Sequence, residues 1–154
     1  MNSRTERARD LLAALTLALL WSGEAYAEGQ PEATATLVVV VENVGSESGA
    51  IVIALTNSAE QFESGDAFFR SDAAVAIYDG RAERTFEGVP LGTYAAKIFH
   101  DENTNGDLDT NWVGYPTEGF GFSNDAMGRF GPPTFDEAAF EVDDDPTRIT
   151  VTIR

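Results

Sequence analysis

Nine consecutive residues, Asp101-Glu102-Asn103-Thr104-Asn105-Gly106-Asp107-Leu108-Asp109, place oxygen-bearing side chains at positions 1, 3, 5 and 9 and glycine at position 6. A hard cation such as Ca²⁺ needs roughly six to eight oxygens around one point, and a chain wraps that closely only through a sharp turn. Asp101, Asn103 and Asn105 would present side-chain oxygens and Gly106 would permit the turn. Asp107 would offer its carbonyl, and Asp109 would close the loop directly or through water. This is the spacing of an EF-hand loop, with two departures. Position 12 is Trp112 rather than a bidentate Glu, and the residues before the loop read as a strand rather than a helix. Glu118 or Asp125 could supply the missing ligand from the following segment. Calcium is the expected cofactor, at a modest affinity of about 10⁻⁴ to 10⁻³ M. The competing expectation is a metal-free run of Asx turns built from the same residues.

The second stretch with chemical content runs from Trp112 to Phe135. Glycines 114, 119, 121, 128 and 131 alternate there with Trp112, Tyr115, Phe120, Phe122, Phe130 and Phe135. A connection of that length is more than a link, and long loops on rigid scaffolds often carry function. Aromatic faces in a Gly-rich loop suit stacking on a sugar or a small planar ligand, which makes Trp112, Tyr115, Phe120, Phe122 and Arg129 the candidate ligand-binding residues. Arg129 could hold an anionic group or pair with Asp125 or Asp136. The alternative is an ordered Ω-like loop whose Phe residues plug one end of the fold.

His100 precedes the acidic loop and could act as a general base beside Asp101, with Arg129 as a third member of a small hydrolase site. A lone His at the end of a strand is more commonly a packed, hydrogen-bonded residue. No Ser stands in a nucleophile-elbow pattern, and Gly119-Phe120-Gly121 lacks the Lys and strand–helix context of a phosphate loop. The chain therefore reads as a non-enzymatic binding or structural module.

Composition narrows the field further. The chain has 154 residues, no Cys, one His and a formal charge of −16. Disulfides, thiol nucleophiles, Cys-ligated zinc and multi-His metal sites are excluded. Nucleic acid and anionic membranes are polyanions and would be repelled. Arg4, Arg7 and Arg9, the apolar run Leu11 to Trp21, and the small-x-small end Ala25-Tyr26-Ala27 follow the order of a secretory leader. Residues 1–27 are expected to be cleaved as a signal peptide. The leader takes three basic and three acidic residues with it, so the charge is unchanged. No later apolar run is long enough to span a bilayer. A periplasmic or secreted location follows, with a carbohydrate or another cell-envelope component as the expected class of partner.

These residues need elements to position them. Residues 28–34 read as a flexible lead-in and residues 35–154 as one domain. Ala35 to Glu42 contains the β-branched run Leu37 to Val41, which suits a strand buried on both faces. Gly45 to Gly49 reads as a turn into a second strand, Ala50 to Thr56, so the pair reads as a hairpin. Ser58 and Gln61 suggest a capped helical turn. Ala74 to Tyr78 and Ala82 to Phe86 flank Asp79-Gly80, a dipeptide suited to a tight turn. Thr93 to Phe99 is a strong strand with Tyr94, Ala96, Ile98 and His100 on one face and Ala95, Lys97 and Phe99 on the other. Leu91-Gly92-Thr93-Tyr94 suggests a tyrosine corner, in which the Tyr hydroxyl bonds back to nearby backbone. Asp101 to Gly131 shows no strand periodicity. Thr134 and Glu137 cap a helical turn, Ala139 to Val142 is a short strand, Asp143 to Pro146 an acidic turn, and Arg148 to Ile153 the last strand. Seven or eight short strands at this spacing predict an all-β, antiparallel β-sandwich with one long Gly-rich loop.

Several blocks together resemble a known family: Phe99-His100-Asp101-Glu102-Asn103, Asn105-Gly106, Asp109-Thr110-Asn111, Gly114-Tyr115-Pro116, Glu118 to Asn124 and Phe130-Gly131-Pro132-Pro133. They are similar to the uncharacterised secreted bacterial family catalogued as domain of unknown function 2141. The resemblance runs from about Leu37 to Ile153. It implies an exported sandwich of immunoglobulin-like or transthyretin-like type and implies no activity.

Overall fold

The computed structural model describes residues 32–65, 69–71 and 77–154. The expected leader, the lead-in up to residue 31 and most of the expected strand Ala74 to Tyr78 lie outside the described residues. The rest is mostly β. In chain order it comprises β1 (Thr34–Glu42), β2 (Ala50–Thr56), the helical turn α1 (Ala59–Ser64), β3 (Phe69–Ser71), β4 (Ala82–Pro90) and β5 (Gly92–Asp101). There follow β6 (Phe120–Phe122), a 3₁₀ turn (Ser123–Asp125), α2 (Phe135–Ala138), β7 (Phe140–Val142) and β8 (Thr147–Thr152). One sheet has the order β4-β1-β8, the other β3-β2-β5-β6, and β7 pairs with the start of β5 on the edge that β6 also uses.

The two sheets close over one core. Leu37, Val39, Val41 and Val151 enter it from the first sheet, and Ile51, Ile53, Leu55, Ala96 and Ile98 from the second. β1 is central, and its β-branched run explains why: Val38 and Val40, which alternate with the core residues, are buried as well. A strand apolar on both faces needs neighbours on both edges, and β4 and β8 supply them.

Three expectations change at this level. β1 and β2 do not form a hairpin. They sit in different sheets, and residues 43–49 carry the chain from one to the other. That connection lacks a two-residue turn that would force adjacent pairing, so each run takes the partners that bury it best. The pairing is not wholly antiparallel either, because β1 and β8 run parallel from Leu37↔Thr147 to Glu42↔Thr152. Finally, the segment Asp101 to Gly131 contains a strand. β6 pairs with Lys97 to Phe99 of β5, and the Phe120 N–H and C=O exchange hydrogen bonds with Arg154. Its central Gly121 explains the missing signal. An added Cβ there would lie 2.9 Å from both the Thr152 carbonyl oxygen and Val151 Cγ1, so close packing replaces the apolar alternation that marks a strand.

Other local readings hold. Asp79 and Gly80 have φ of 53° and 70°, as the tight turn between Tyr78 and Arg81 requires. Ser58 Oγ accepts the Gln61 N–H at the start of α1, while Gln61 Oε1 accepts from the Thr56 hydroxyl rather than returning to Ser58. Thr134 and Glu137 form a complete capping box on α2.

β5 organises the site. Tyr94, Ala96, Ile98 and His100 point into the core as the alternation predicts. The opposite face is also covered, by a smaller apolar cluster of Phe62, Ala95, Phe122 and Ala138 beneath α1 and α2. Lys97, the chain's only lysine, lies on that face with Nζ 4.6 Å from the centre of the Phe62 ring. Burial lowers its pKa, with Glu63 acting in the opposite direction.

Tyr94 Oη donates to the Pro90 carbonyl at 2.9 Å, the bond the tyrosine corner calls for. Tyr94→Phe should cost about 1–2 kcal/mol, because a part-buried carbonyl loses its donor; urea denaturation measures this. Near the same end of β1, at its start, the Thr36 N–H donates to Asp145 Oδ1 at 2.9 Å and holds that carboxyl below its ordinary pKa. A depressed carboxyl stabilises above its unfolded pKa, near about 4, and loses that contribution as pH falls through the lower folded value. The protection of the Thr36 amide, its exchange taken relative to the intrinsic rate at each pH, should therefore fall below about pH 4, and Asp145→Asn should remove that pH dependence.

Candidate functional site

The strand β5 ends at Asp101, and the acidic loop begins there. Asp101 is 3% exposed and Glu118, at the loop's other end, is 8% exposed. A buried carboxyl is tolerated only where donors meet it, and here the donors are backbone amides. Asp101 Oδ1 accepts the Asn105 N–H at 3.1 Å and Oδ2 the Gly106 N–H at 2.8 Å. Glu118 Oε1 accepts the Glu102 N–H at 3.0 Å and Oε2 the Asp109 N–H at 2.9 Å. Gly106 has φ of 85°, the positive value its place in the turn requires.

The expected cation residues come together. Asn103 Nδ2 donates to Asp109 Oδ2 at 2.6 Å and Asn105 Nδ2 to Asp109 Oδ1 at 3.1 Å. Asn103 Oδ1 accepts the Asn105 N–H, and Asn105 Oδ1 the Asp107 N–H. Asp101, Asn103, Asn105 and Asp109 thus share one hydrogen-bonded turn. Among the described residues no three His, Cys, Asp or Glu side chains group as metal ligands, so the set rests on two carboxylates, two carboxamides and the Asp107 carbonyl. Glu118 adjoins the turn, with both its oxygens engaged by amides as both oxygens of Asp101 are. Asp125 is elsewhere, accepting from the Thr152 N–H at 2.7 Å, so it does not complete this shell.

Gly49 belongs to the same region. Its φ is 79°, and a Cβ on it would lie 2.1 Å from the Asp101 carbonyl oxygen. The loop between β1 and β2 can cross the end of β5 only because that residue has no side chain. His100, 1% exposed, lies beneath this crossing, with Nε2 2.6 Å from the Ser48 carbonyl oxygen and Nδ1 3.8 Å from Glu102 Oε1. His100, Asp101 and Arg129 do not meet at one cleft. His100 and Asp101 are both buried, whereas Arg129 is exposed on a separate groove.

Beyond Asp109 the chain makes a small hairpin. Thr110 bridges Pro116, and the Thr117 N–H donates to the Asp109 carbonyl at 2.8 Å. At the tip, Asn111 Oδ1 accepts the N–H groups of Val113 and Tyr115, both at 3.0 Å, and Gly114 has φ of 82°. The tip holds Trp112 95% exposed and Tyr115 64% exposed. Across from it Phe130 is 97% exposed and Met127 51%. Between them lies a groove of about 680 Å³ whose wall includes Leu108, Val113, Tyr115, Phe120, Arg129 and Phe130.

The candidate ligand residues divide accordingly. Tyr115, Phe120, Phe122 and Arg129 line the groove, and Trp112 stands on its hairpin rim. Phe122 is a wall rather than a platform, 8% exposed and packed against Phe62 with ring centres 6.2 Å apart. The plug expected of the loop aromatics is partial. Phe120, Phe122 and Phe135 cover the smaller cluster, while Trp112, Tyr115 and Phe130 remain outside it. Phe130, Met127 and Val113 went unmarked as site residues in the sequence. The cue to Phe130 is its place in the Gly-rich aromatic stretch, between Arg129 and Gly131.

The model of the family described as an uncharacterized protein conserved in bacteria (DUF2141) matches residues 39–150, and the chain belongs to that family. No curated protein and no solved structure matches it.

Glu118 fastens both ends of the acidic loop. Glu118→Ala should strand the Glu102 and Asp109 amides and cost about 2–3 kcal/mol, as hydrogen bonds to charged groups do. Hydrogen exchange at those two amides should rise more than at the centre of β1.

Proposed function

We propose that this member of the family is an exported β-sandwich of immunoglobulin-like or transthyretin-like type that acts as a binding module. In this reading the loop Asp101 to Asp109 takes Ca²⁺ and so orders the hairpin that carries Trp112 and Tyr115. Two sheets around one core and the Tyr94 corner support the fold type. The leader pattern in residues 1–27 supports export. Among the described residues no helix is long and apolar enough to cross a membrane.

One observation carries the function: Asp109 belongs to both parts. Its carboxylate is the centre on which Asn103 and Asn105 converge, and its backbone holds Glu118 and Thr117 at the base of the aromatic hairpin. A cation at that centre would replace two neutral amide donors with a divalent charge and would stiffen the stem beneath Trp112 and Tyr115. Five protein groups leave room for water in the shell, which fits an affinity of about 10⁻⁴ to 10⁻³ M. The ligand is one with an apolar or planar face. The exposure of Trp112 and Tyr115 also supports a sugar stacked on their rings.

Calorimetric melting tests the metal. At that affinity, 5 mM Ca²⁺ should add about 1–2 kcal/mol of stability, raising Tm by several degrees over the protein in chelator. Asp101→Asn and Asp109→Asn should abolish the rise, and Mg²⁺ at the same concentration should give less. An unchanged Tm with no ion bound by calorimetry would remove calcium from the reading. Trp112→Ala should leave the unfolding free energy within about 0.5 kcal/mol of wild type, as an exposed substitution does, while weakening capture of the ligand.

A further inference from the structure

The groove between the Trp112 hairpin and Phe130 differs from the rest of the surface in charge. The chain carries 26 acidic residues against 10 basic ones, yet none of the residues lining this groove is acidic and one of them is Arg129. Among the described residues Arg129 forms no ion pair. A guanidinium at the edge of an acid-free, apolar groove on a strongly acidic protein is complementary to a single carboxylate.

The remaining wall decides what the carboxylate is attached to. Leu108, Val113, Phe120, Met127, Phe130 and Pro132 offer apolar surface, and apart from Arg129 the only polar side chains are Thr110 and Tyr115. A sugar brings several hydroxyls per ring, and each one desolvated without a partner costs free energy. This wall could answer few of them. A volume of about 680 Å³ falls in the range of small-molecule sites. The charge of −16 opposes a polyanion, whereas one carboxylate meets that field only once.

Resting on the reading of this surface as the binding face, we propose that the groove takes an amphipathic monocarboxylate. Its apolar body lies against Val113, Tyr115 and Phe130, and its carboxylate pairs with Arg129.

Isothermal titration of the purified protein with decanoate, 1-decanol and cellohexaose separates the cases. Decanoate should bind saturably, and 1-decanol at least ten-fold more weakly. Arg129→Ala should lower decanoate to the level of the alcohol, and Arg129→Lys should restore part of the difference. Equal binding of acid and alcohol, or an Arg129→Ala variant that binds decanoate as wild type does, would overturn the carboxylate assignment and leave the groove as a binding face. Preference for cellohexaose would overturn it in favour of a sugar site. Binding of none of the three would overturn it together with the binding reading itself.

Discussion

Two carboxyl groups are withdrawn from water at the end of β5, and the local structure follows from answering them. Asp101 and Glu118 lie within one loop, in a chain with few cations to spare. Pairing each with Lys or Arg would use a large share of the basic residues. Backbone amides do the work instead, two for each side chain. Amides have fixed positions, so the turn from Asn105 to Gly106 and the closure of Glu102 onto Asp109 are set together. The positive φ of Gly106 and the bare Gly49 above Asp101 are consequences of the same crowding.

That solution ties two surfaces that would otherwise be independent. Glu118 reaches from the base of the aromatic hairpin to both ends of the acidic loop, so the hairpin cannot swing without breaking amide bonds to a buried carboxyl. The Asp109 carboxylate has only the Asn103 and Asn105 amides as partners within the loop. These are neutral donors, so the carboxylate is hydrogen-bonded there but meets no opposite charge within the loop. In the proposed reading a divalent cation would supply the countercharge that this carboxylate has not found within the loop.

Much of this was legible in residue types. The β-branched run of β1, the Asp79-Gly80 turn, the Thr134–Glu137 cap and the Tyr94 corner each depend on a local preference that holds wherever the residues sit. The convergence of Asp101, Asn103, Asn105 and Asp109 was legible for the same reason, since spacing alone brings those side chains to one turn. Pairing across sheets was not. β1 and β2 follow each other closely but join different sheets, and the parallel partner of β1 comes from the far end of the chain. β6 was hidden because Gly121 is required by contact with β8 rather than by any strand preference. The role of Glu118 was half legible. Its nearness to the loop could be guessed, but its use as an amide clamp depends on burial, which spacing does not report.

The exposure of Trp112 and Tyr115 belongs to the same physics. Large apolar side chains left in water forgo the free energy that burial would give them, and a flexible tip could fold them back. The hairpin prevents this. Asn111 accepts two tip amides through one side-chain oxygen, and the Asn111 and Gly114 backbones complete the turn. The rings are held outward by polar groups satisfied within the hairpin, so the entropy of ordering them is spent in folding and not again on binding. In the proposed reading, a groove prepared in that way, on a stem braced by a buried carboxyl, would gain affinity from each apolar contact without first having to assemble itself.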